Sequence, residues 1–300
     1  MANILITGAN GQLGSELREV LPGNQGDTLF FTDVTELDIT NRQSVYHFLN
    51  ANSIEIIINC AAYTAVDRAE EEPEICDMVN RKAPGILADE ANACGAFLIH
   101  ISTDYVFDGV GPTPYKESKS TNPASVYGRT KTEGELEVMR SGARYIIIRT
   151  SWLYSVYGNN FAKTILRLSS ERDSLNVVFD QIGTPTYAKD LAKVILLIAQ
   201  RYYLEISKKS DIKGLPSGIY HYSNEGVCSW YDFALEIIKL SGRRCKVVPV
   251  TSDKFPTKAI RPPFSVLDKG KIKESLNIDI PHWRESLAEF YRKESIASRK

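Results

Sequence analysis

The sequence has no surplus of positive charge: 36 Lys and Arg stand against 37 Asp and Glu, a formal net charge of −1 over 300 residues. A chain that neutralises many phosphates carries a basic excess, so nucleic acid is not an expected partner. Cysteine is sparse. Cys60, Cys76, Cys94, Cys228 and Cys245 are odd in number and contain no C-x-x-C pair, supporting neither a disulfide framework nor a zinc ribbon. They read as small apolar residues in a reducing compartment. No apolar run nears the about 20 residues that a bilayer span requires. One of the longest, residues 194–199, reads as a buried helix face, so no membrane partner is expected. Met-Ala-Asn leads straight into an apolar strand pattern, without the basic stretch and long apolar core of a signal peptide, and a cytoplasmic location is expected. Internal repeats at roughly 20–50-residue spacing and low-complexity tracts are missing too. What is present, 43% hydrophobic and 24% charged residues, suits a soluble globular chain and is too apolar for wholesale disorder.

The four histidines, His47, His100, His221 and His282, are scattered without i, i+3 or i+4 pairing, so no metal ligand is assigned. Glu70-Glu71-Glu72 reads as a solvated first helical turn, where the dipole favours acids.

The first half alternates short apolar runs with amphipathic stretches. Asn3–Thr7 and residues 29–32, 54–59, 97–102 and 145–149 are continuous and apolar, as parallel strands buried on both faces are. Between them, Leu13, Leu17, Val20 and Leu21 fall on one helical face, as do Val45, Phe48 and Leu49 after a capping Thr40-Asn41. Residues 67–94 are expected to form one helix, with Pro73 in its first turns and Gly95 past its end. This pattern predicts an α/β fold with a doubly wound parallel sheet. Beyond about residue 150 the pattern turns irregular, with Gly/Pro/Ser clusters between short helices at about 160–171, 189–203, 229–241 and 283–296. The expected organisation is a dinucleotide-binding domain over 1–150 and a smaller, irregular C-terminal substrate lobe over 151–300. Residues 176–203 are expected to return to the first domain, with 177–179 and the helix after Lys189 rejoining the main sheet.

Gly8-Ala9-Asn10-Gly11-Gln12-Leu13-Gly14 directly follows the first strand and opens the first helix. Glycines there permit a tight turn, close approach of backbone to a pyrophosphate, and helix against strand. The helix N-terminus adds free N–H groups and a positive dipole end. Asp33 ends the second strand 19 residues after Gly14, where a carboxylate can meet an adenosine ribose; a solvated strand-end acid is the plainer alternative. Tyr127 and Lys131 stand four apart, one helical turn on one face. A cation there is expected to lower the phenol's pKa and make it a better proton donor. Ser102 and Thr103 put a hydroxyl at the C-terminal end of a central strand, where open α/β sheets bind ligands. Hydroxyl, tyrosine and lysine together make a carbonyl-reducing set.

In this order, the G-x-x-G-x-x-G loop, the strand-end hydroxyl and Tyr-x-x-x-Lys resemble the extended short-chain dehydrogenase/reductase family, whose nucleotide domain is a Rossmann fold. Longer stretches narrow the likeness. Asn59-Cys-Ala-Ala-Tyr-Thr-Ala-Val-Asp67, Ser102-Thr-Asp-Tyr-Val-Phe107, Arg149-Thr-Ser-Trp-Leu-Tyr154, Gly158-Asn-Asn-Phe-Ala-Lys163 and Gly183-Thr-Pro-Thr186 are similar to the dTDP-4-dehydrorhamnose reductases, a branch of that family. The likeness runs from residue 3 through Arg261-Pro262 to the C-terminal helix.

The resemblance implies Thr103, Tyr127 and Lys131 as the catalytic set. It places Gly11, Gln12 and Leu13, in the loop bounded by Gly8 and Gly14, around the pyrophosphate, and Asp33, Asp38 and Ile39 around the adenosine. Ala61, Ala62 and Tyr63 would lie along the cofactor's middle, with Tyr127 and Lys131 at its nicotinamide end. Thr103, Asp104, Tyr127 and Trp152 would meet the sugar nucleotide, although Trp152 also fits a core aromatic between the lobes. Asn159, Asn160 and Arg261 fit either the nucleotide's polar groups or structural hydrogen bonding. The implied cofactor is NADH or NADPH, and the implied partner is a dTDP-linked 4-keto-6-deoxy sugar, reduced at C4. A homodimer accords with the likeness. Magnesium, which some relatives bind at a dimer contact, is left unassigned because no acidic cluster points to it. Two rivals stand beside this reading: a nucleotide-sugar epimerase or dehydratase of the same family, and a non-catalytic relative such as the regulatory subunit of methionine adenosyltransferase. Bound NAD in purified protein favours the first; a missing reductase activity with a partner enzyme favours the second.

Overall fold

Runs of Ile, Leu and Phe without polar alternation build the centre of the molecule. The computed structural model describes residues 2–21, 27–207 and 211–297. In its first half these form β1 (Asn3–Thr7), α1 (Gln12–Val20), β2 (Thr28–Thr32), α2 (Arg42–Ala51), β3 (Ile56–Asn59), α3 (Val66–Ala69), α4 (Pro73–Asp77), α5 (Ala83–Cys94), β4 (Phe97–Thr103), α6 (Val126–Arg140) and β5 (Tyr145–Thr150). The second half adds β6 (Leu153–Tyr154), α7 (Phe161–Glu171), β7 (Ser174–Val178), β8 (Ile182–Gly183), β9 (Thr186–Tyr187), α8 (Ala188–Ile206), β10 (Gly218–His221), β11 (Cys228–Ser229), α9 (Trp230–Ser241), β12 (Lys246–Val250), α10 (Gly270–Leu276) and α11 (Trp283–Ala297).

Six strands make one parallel sheet in the order β2-β1-β3-β4-β5-β10. Leu13 and Leu17 of α1, Ile195 and Ile198 of α8 and Leu276 of α10 pack with Ile4, Ile6 and Ile99 in one core cluster. Val45 and Leu49 of α2, Leu87 and Ala91 of α5 and Val138 of α6 pack with Leu5, Ile57 and Leu98 in another. Covering both faces allows the strands to be apolar throughout. The chain leaves β1 for β2 on one side and returns to β3 on the other. That switch point opens a crevice at the carboxyl ends of β1 and β3, where sheets of this kind bind ligands.

A separate core holds Tyr154, Phe233, Trp283 and Phe290 with residues of α7, β7, α9, β12 and α11. Two of its helices start on side-chain caps: Asn160 accepts from the Lys163 amide at the start of α7, and Ser229 with Asp232 forms a reciprocal capping box at α9.

Three local expectations are corrected. Residues 67–94 are not one helix: α3 ends at Ala69, and a π-helical turn, Met78–Lys82, joins α4 to α5. The turn is fixed by Asn80, whose Oδ1 accepts from the Tyr63 amide at 2.9 Å and whose Nδ2 donates to the Tyr63 carbonyl at 3.0 Å. The strand at 177–179 does not rejoin the main sheet. β7 pairs with β12, and its alternation of buried Leu175 and Val177 with exposed Ser174 and Asn176 suits a strand covered on one face only. The helix after Lys189 does pack on the main sheet, and β10 joins its edge beside β5. Glu70 and Glu72 are not merely solvated, since Glu70 Oε1 accepts from the Val126 amide opening α6 and Glu72 accepts from the Tyr63 hydroxyl.

Candidate active site

A cavity of about 820 Å³ lies along the carboxyl ends of β1, β3, β4 and β5 and reaches the second lobe. Gly8, Gly11, Gln12 and Leu13 line one end. Gly8 has φ +64°, and a Cβ there would stand 2.6 Å from the Ala61 amide nitrogen, so only glycine lets the loops after β1 and β3 run this close. Gly14 does not line the cavity. A Cβ on it would meet Ala9 Cα at 2.5 Å, which makes it the helix–strand contact that lets α1 aim its N-terminus into the crevice. No side chain caps α1, whose N-cap is Gly11, so its first N–H groups are left open to an anion.

Asp33, Asp38 and Ile39 line the same end. Asp33 Oδ2 accepts from the Asn10 amide at 3.2 Å, tying the end of β2 to the glycine loop. Arg42, the nearest cation in sequence, is held away by Asp89 at 2.5 Å and Glu90 at 2.7 Å. Ala61 and Ala62 line the middle of the cavity; Tyr63 does not, its backbone and hydroxyl being taken by Asn80 and Glu72.

Thr103, Asp104, Tyr127, Lys131 and Trp152 meet at the other end. Ser125 caps α6, and a Cβ on Gly128 would stand 2.3 Å from the Tyr105 carbonyl oxygen. This close approach seats Tyr127 beside the end of β4, in the same cavity as the Thr103 hydroxyl. Tyr105 packs edge-on against Tyr127, with ring centroids 5.5 Å apart. Asp104 is buried. Its Oδ1 accepts from the Thr103 hydroxyl at 3.0 Å, and desolvation raises its carboxyl to about 6 against the opposing Ser265 and Thr103 hydroxyls.

The expected effect of Lys131 on Tyr127 is not found. Burial pushes the phenol up, with the neighbouring Thr103 hydroxyl opposing. The Lys131 ammonium instead donates to the Ile101 carbonyl at 2.6 Å and sits 3.3 Å from His100 Nε2. Desolvation lowers it to about 8, against Glu135, Cys76 and Cys60, which favour the charged form. Glu135 is itself neutralised by Arg149 at 2.6 Å and bonded by Ser102, which pins α6 to β4 and β5.

Trp152 lines the cavity and also packs against the second core. It holds φ +47° and stacks on Trp230 with ring centroids 3.6 Å apart and planes 9° from parallel. A Cβ on Gly183 would come within 2.6 Å of its ring, so glycine leaves the indole its place. Asn160 bridges the lobes by donating to Gln12 Oε1 at 3.0 Å, and Asn159 lines the cavity beside it. Arg261 is absorbed structurally, paired with Asp67 at 2.7 Å.

Trp230, Asn59 and His100 were missed in the sequence. Trp230 carries no local motif, whereas His100 had a signal: it is the first polar residue of its strand, breaking the apolar run two before Ser102 and so on the same face. Among the described residues, no three His, Cys, Asp or Glu side chains converge as a metal site would require, and no helix is long and apolar enough to cross a membrane.

A glycine loop at the switch point of a parallel sheet, facing a Thr-Tyr-Lys cluster across one cavity, is the architecture of the extended short-chain dehydrogenase/reductases. The family model described as RmlD substrate binding domain matches residues 1–296, and the chain belongs to that family. It is 41% identical to the dTDP-4-dehydrorhamnose reductase of Aggregatibacter actinomycetemcomitans over 293 residues, 96% of this chain and 97% of that one. Among solved structures, a dTDP-4-dehydrorhamnose reductase from Clostridium acetobutylicum is similar at 43% identity and a TM-score of 0.89, covering 98% of this chain and 99% of its own. Another, from Bacillus anthracis and in complex with NADP, is 38% identical with a TM-score of 0.88, covering 98% of this chain and all (100%) of its own.

Proposed function

We propose that this chain reduces the C4 keto group of dTDP-4-dehydro-β-L-rhamnose to dTDP-β-L-rhamnose with NADH or NADPH, the closing step of dTDP-L-rhamnose synthesis. The observation that carries the reading is the meeting of Thr103 and Tyr127 in one cavity with the uncapped glycine loop. The residues fit the cofactor: a Cβ would fill the Gly8 turn, the α1 N–H groups are free for phosphate, and Asp33 faces the ribose position. When bound, the reduced nicotinamide supplies the hydride.

The chain's own part is alignment and a proton. The Thr103 hydroxyl turns its one hydrogen from Asp104 to the keto oxygen and holds it near the phenol, and the Tyr127 O–H gives its proton to that oxygen as negative charge develops. Burial, which keeps the phenol protonated, makes Tyr127 a donor over a wide pH range. Lys131 holds the nicotinamide ribose hydroxyls. Asp104 and Trp152 contact the sugar, with Trp152 as a flat wall beneath the ring. Residues 1–150 bind the dinucleotide and 151–300 mainly the sugar nucleotide. The free thiols among the described residues suit a cytoplasmic enzyme, and a homodimer accords with the same reading.

The test is anaerobic incubation with dTDP-4-dehydrorhamnose and each reduced coenzyme, followed by product analysis. Coenzyme oxidation matched mole for mole by dTDP-rhamnose supports the reading. Protein that carries tightly bound NAD and consumes no coenzyme contradicts it.

A further inference from the structure

Behind Lys131 lies a buried polar chain that the reaction as described does not use. Asn59, at the end of β3, and His100, in β4, are both fully buried. Asn59 Oδ1 accepts from the Thr7 hydroxyl at 2.7 Å and from the Ala61 amide at 3.1 Å. A backbone N–H can only donate, so the amide oxygen must face it and Asn59 Nδ2 must face His100 Nδ1, 3.0 Å away. Nδ1 then accepts, and a neutral imidazole carries its proton on Nε2. Burial keeps this ring neutral. Its Nε2–H points at Lys131 Nζ, 3.3 Å away, which can accept that hydrogen only as a free amine.

We propose that His100 is a positioning residue for the reduction: locked in one tautomer by Asn59 and Thr7, it stabilises the amine form of Lys131, so that this lysine passes protons instead of standing as a fixed cation. When Tyr127 has given its proton to the sugar oxygen, a protonated Lys131, one turn along α6 and lining the same cavity, is the source from which the phenol regains it. The Nε2–H of His100 then bonds the lone pair that the departing proton leaves, while the Ile101 carbonyl keeps one N–H of the amine. A proton from solvent recharges the amine through the open cavity.

The other groups facing Lys131 oppose this. Glu135 on α6, Cys76 on α4 and Cys60 after β3 all favour its charged form. Glu135 is largely spent on Arg149, and burial pushes both thiols up, so they stay uncharged. His100 and desolvation therefore act together on the lysine.

The inference rests on the proposed reduction for its purpose, but its test does not need turnover. In wild-type protein labelled with [15N]histidine, His100 is identified by replacing His47, His221 and His282 with Gln one at a time. Long-range 1H–15N spectra should show Nε2 protonated and Nδ1 bare from pH 6 to 9; a protonated Nδ1 overturns the proposal whatever the substrate proves to be. Asn59→Asp keeps both acceptor contacts but removes the donor to Nδ1, so the proton should move to Nδ1 and free Nε2 to accept from the ammonium. The pKa of Lys131, read from its [13C]ε resonance and identified by loss in Lys131→Met, should then rise by about one unit or more. The basic limb of the kcat profile should move with it. A tautomer that switches while Lys131 does not move shows that His100 leaves the lysine unaffected, and the proposal fails.

Discussion

At the scale of single residues, the account stands on a phenol held beside a hydroxyl. Tyr127→Phe preserves the ring that packs against Tyr105 and removes only the acid, so the fold should survive while kcat falls ~10²–10⁴-fold, the usual worth of a positioned proton donor. Unchanged single-turnover hydride transfer at pH 7 in this variant would remove Tyr127 from the role. Asp33 bears on coenzyme choice. A 2′-phosphate beside its carboxylate meets like charge, and Arg42, committed to Asp89 and Glu90, offers no relief. NADH should be used at least as well as NADPH, and Asp33→Ala should move the kcat/KM ratio toward NADPH; a native preference for NADPH above tenfold, or an unmoved ratio, contradicts the placement. That a strand-end hydroxyl, Tyr127 and Lys131 would share one cavity was legible in the sequence from spacing and strand-end position, while the choice of Thr103 came from the family resemblance. The environment of the phenol was not. Spacing puts Lys131 one turn from Tyr127 but says nothing of the Ile101 carbonyl and His100 ring that its Nζ meets instead.

At the scale of elements, the strands and helices of the first half could be read from hydrophobic period alone, because a sheet covered on both faces leaves little room for other patterns. The failures came where a side chain overrides the period. Residues 67–94 look helical throughout, and the π-helical turn depends on Asn80 reaching the Tyr63 backbone from 17 residues away. The same turn receives α6 at Gly134, where a Cβ would stand 2.1 Å from the Asn80 carbonyl oxygen. Gly134→Ala should therefore force α6 outward and cost ~1–3 kcal/mol, as overpacking does. The midpoint of chemical denaturation should fall at unchanged slope, and turnover should fall with it because α6 carries Tyr127 and Lys131. A midpoint equal to wild type would show that the contact gives way freely. β7 was misplaced for a related reason: a short run of Val reads as a sheet strand, and only its pairing with β12 reveals which core it serves.

At the scale of the whole molecule, one cavity reaches from the parallel sheet to the second lobe, and the aromatic stack of Trp152 on Trp230, packed against the second core, walls it on that side. Trp152→Ala should raise KM for the keto sugar and lower turnover while coenzyme affinity stays within a few-fold. Equal loss of both, with a lower melting temperature, would make it a structural residue instead. The division into lobes was visible in the change of pattern near residue 150, but the edge strand β10, drawn from residues far along the chain, was hidden among the Gly and Pro that precede it. The central claim is that hydride passes from a dissociable coenzyme to C4 of the sugar. It is tested most directly by turnover with coenzyme carrying deuterium at both nicotinamide C4 positions. The account predicts one deuterium at C4 of the product sugar for each coenzyme oxidised; a product without label at C4, or one formed while the coenzyme stays reduced, would contradict it.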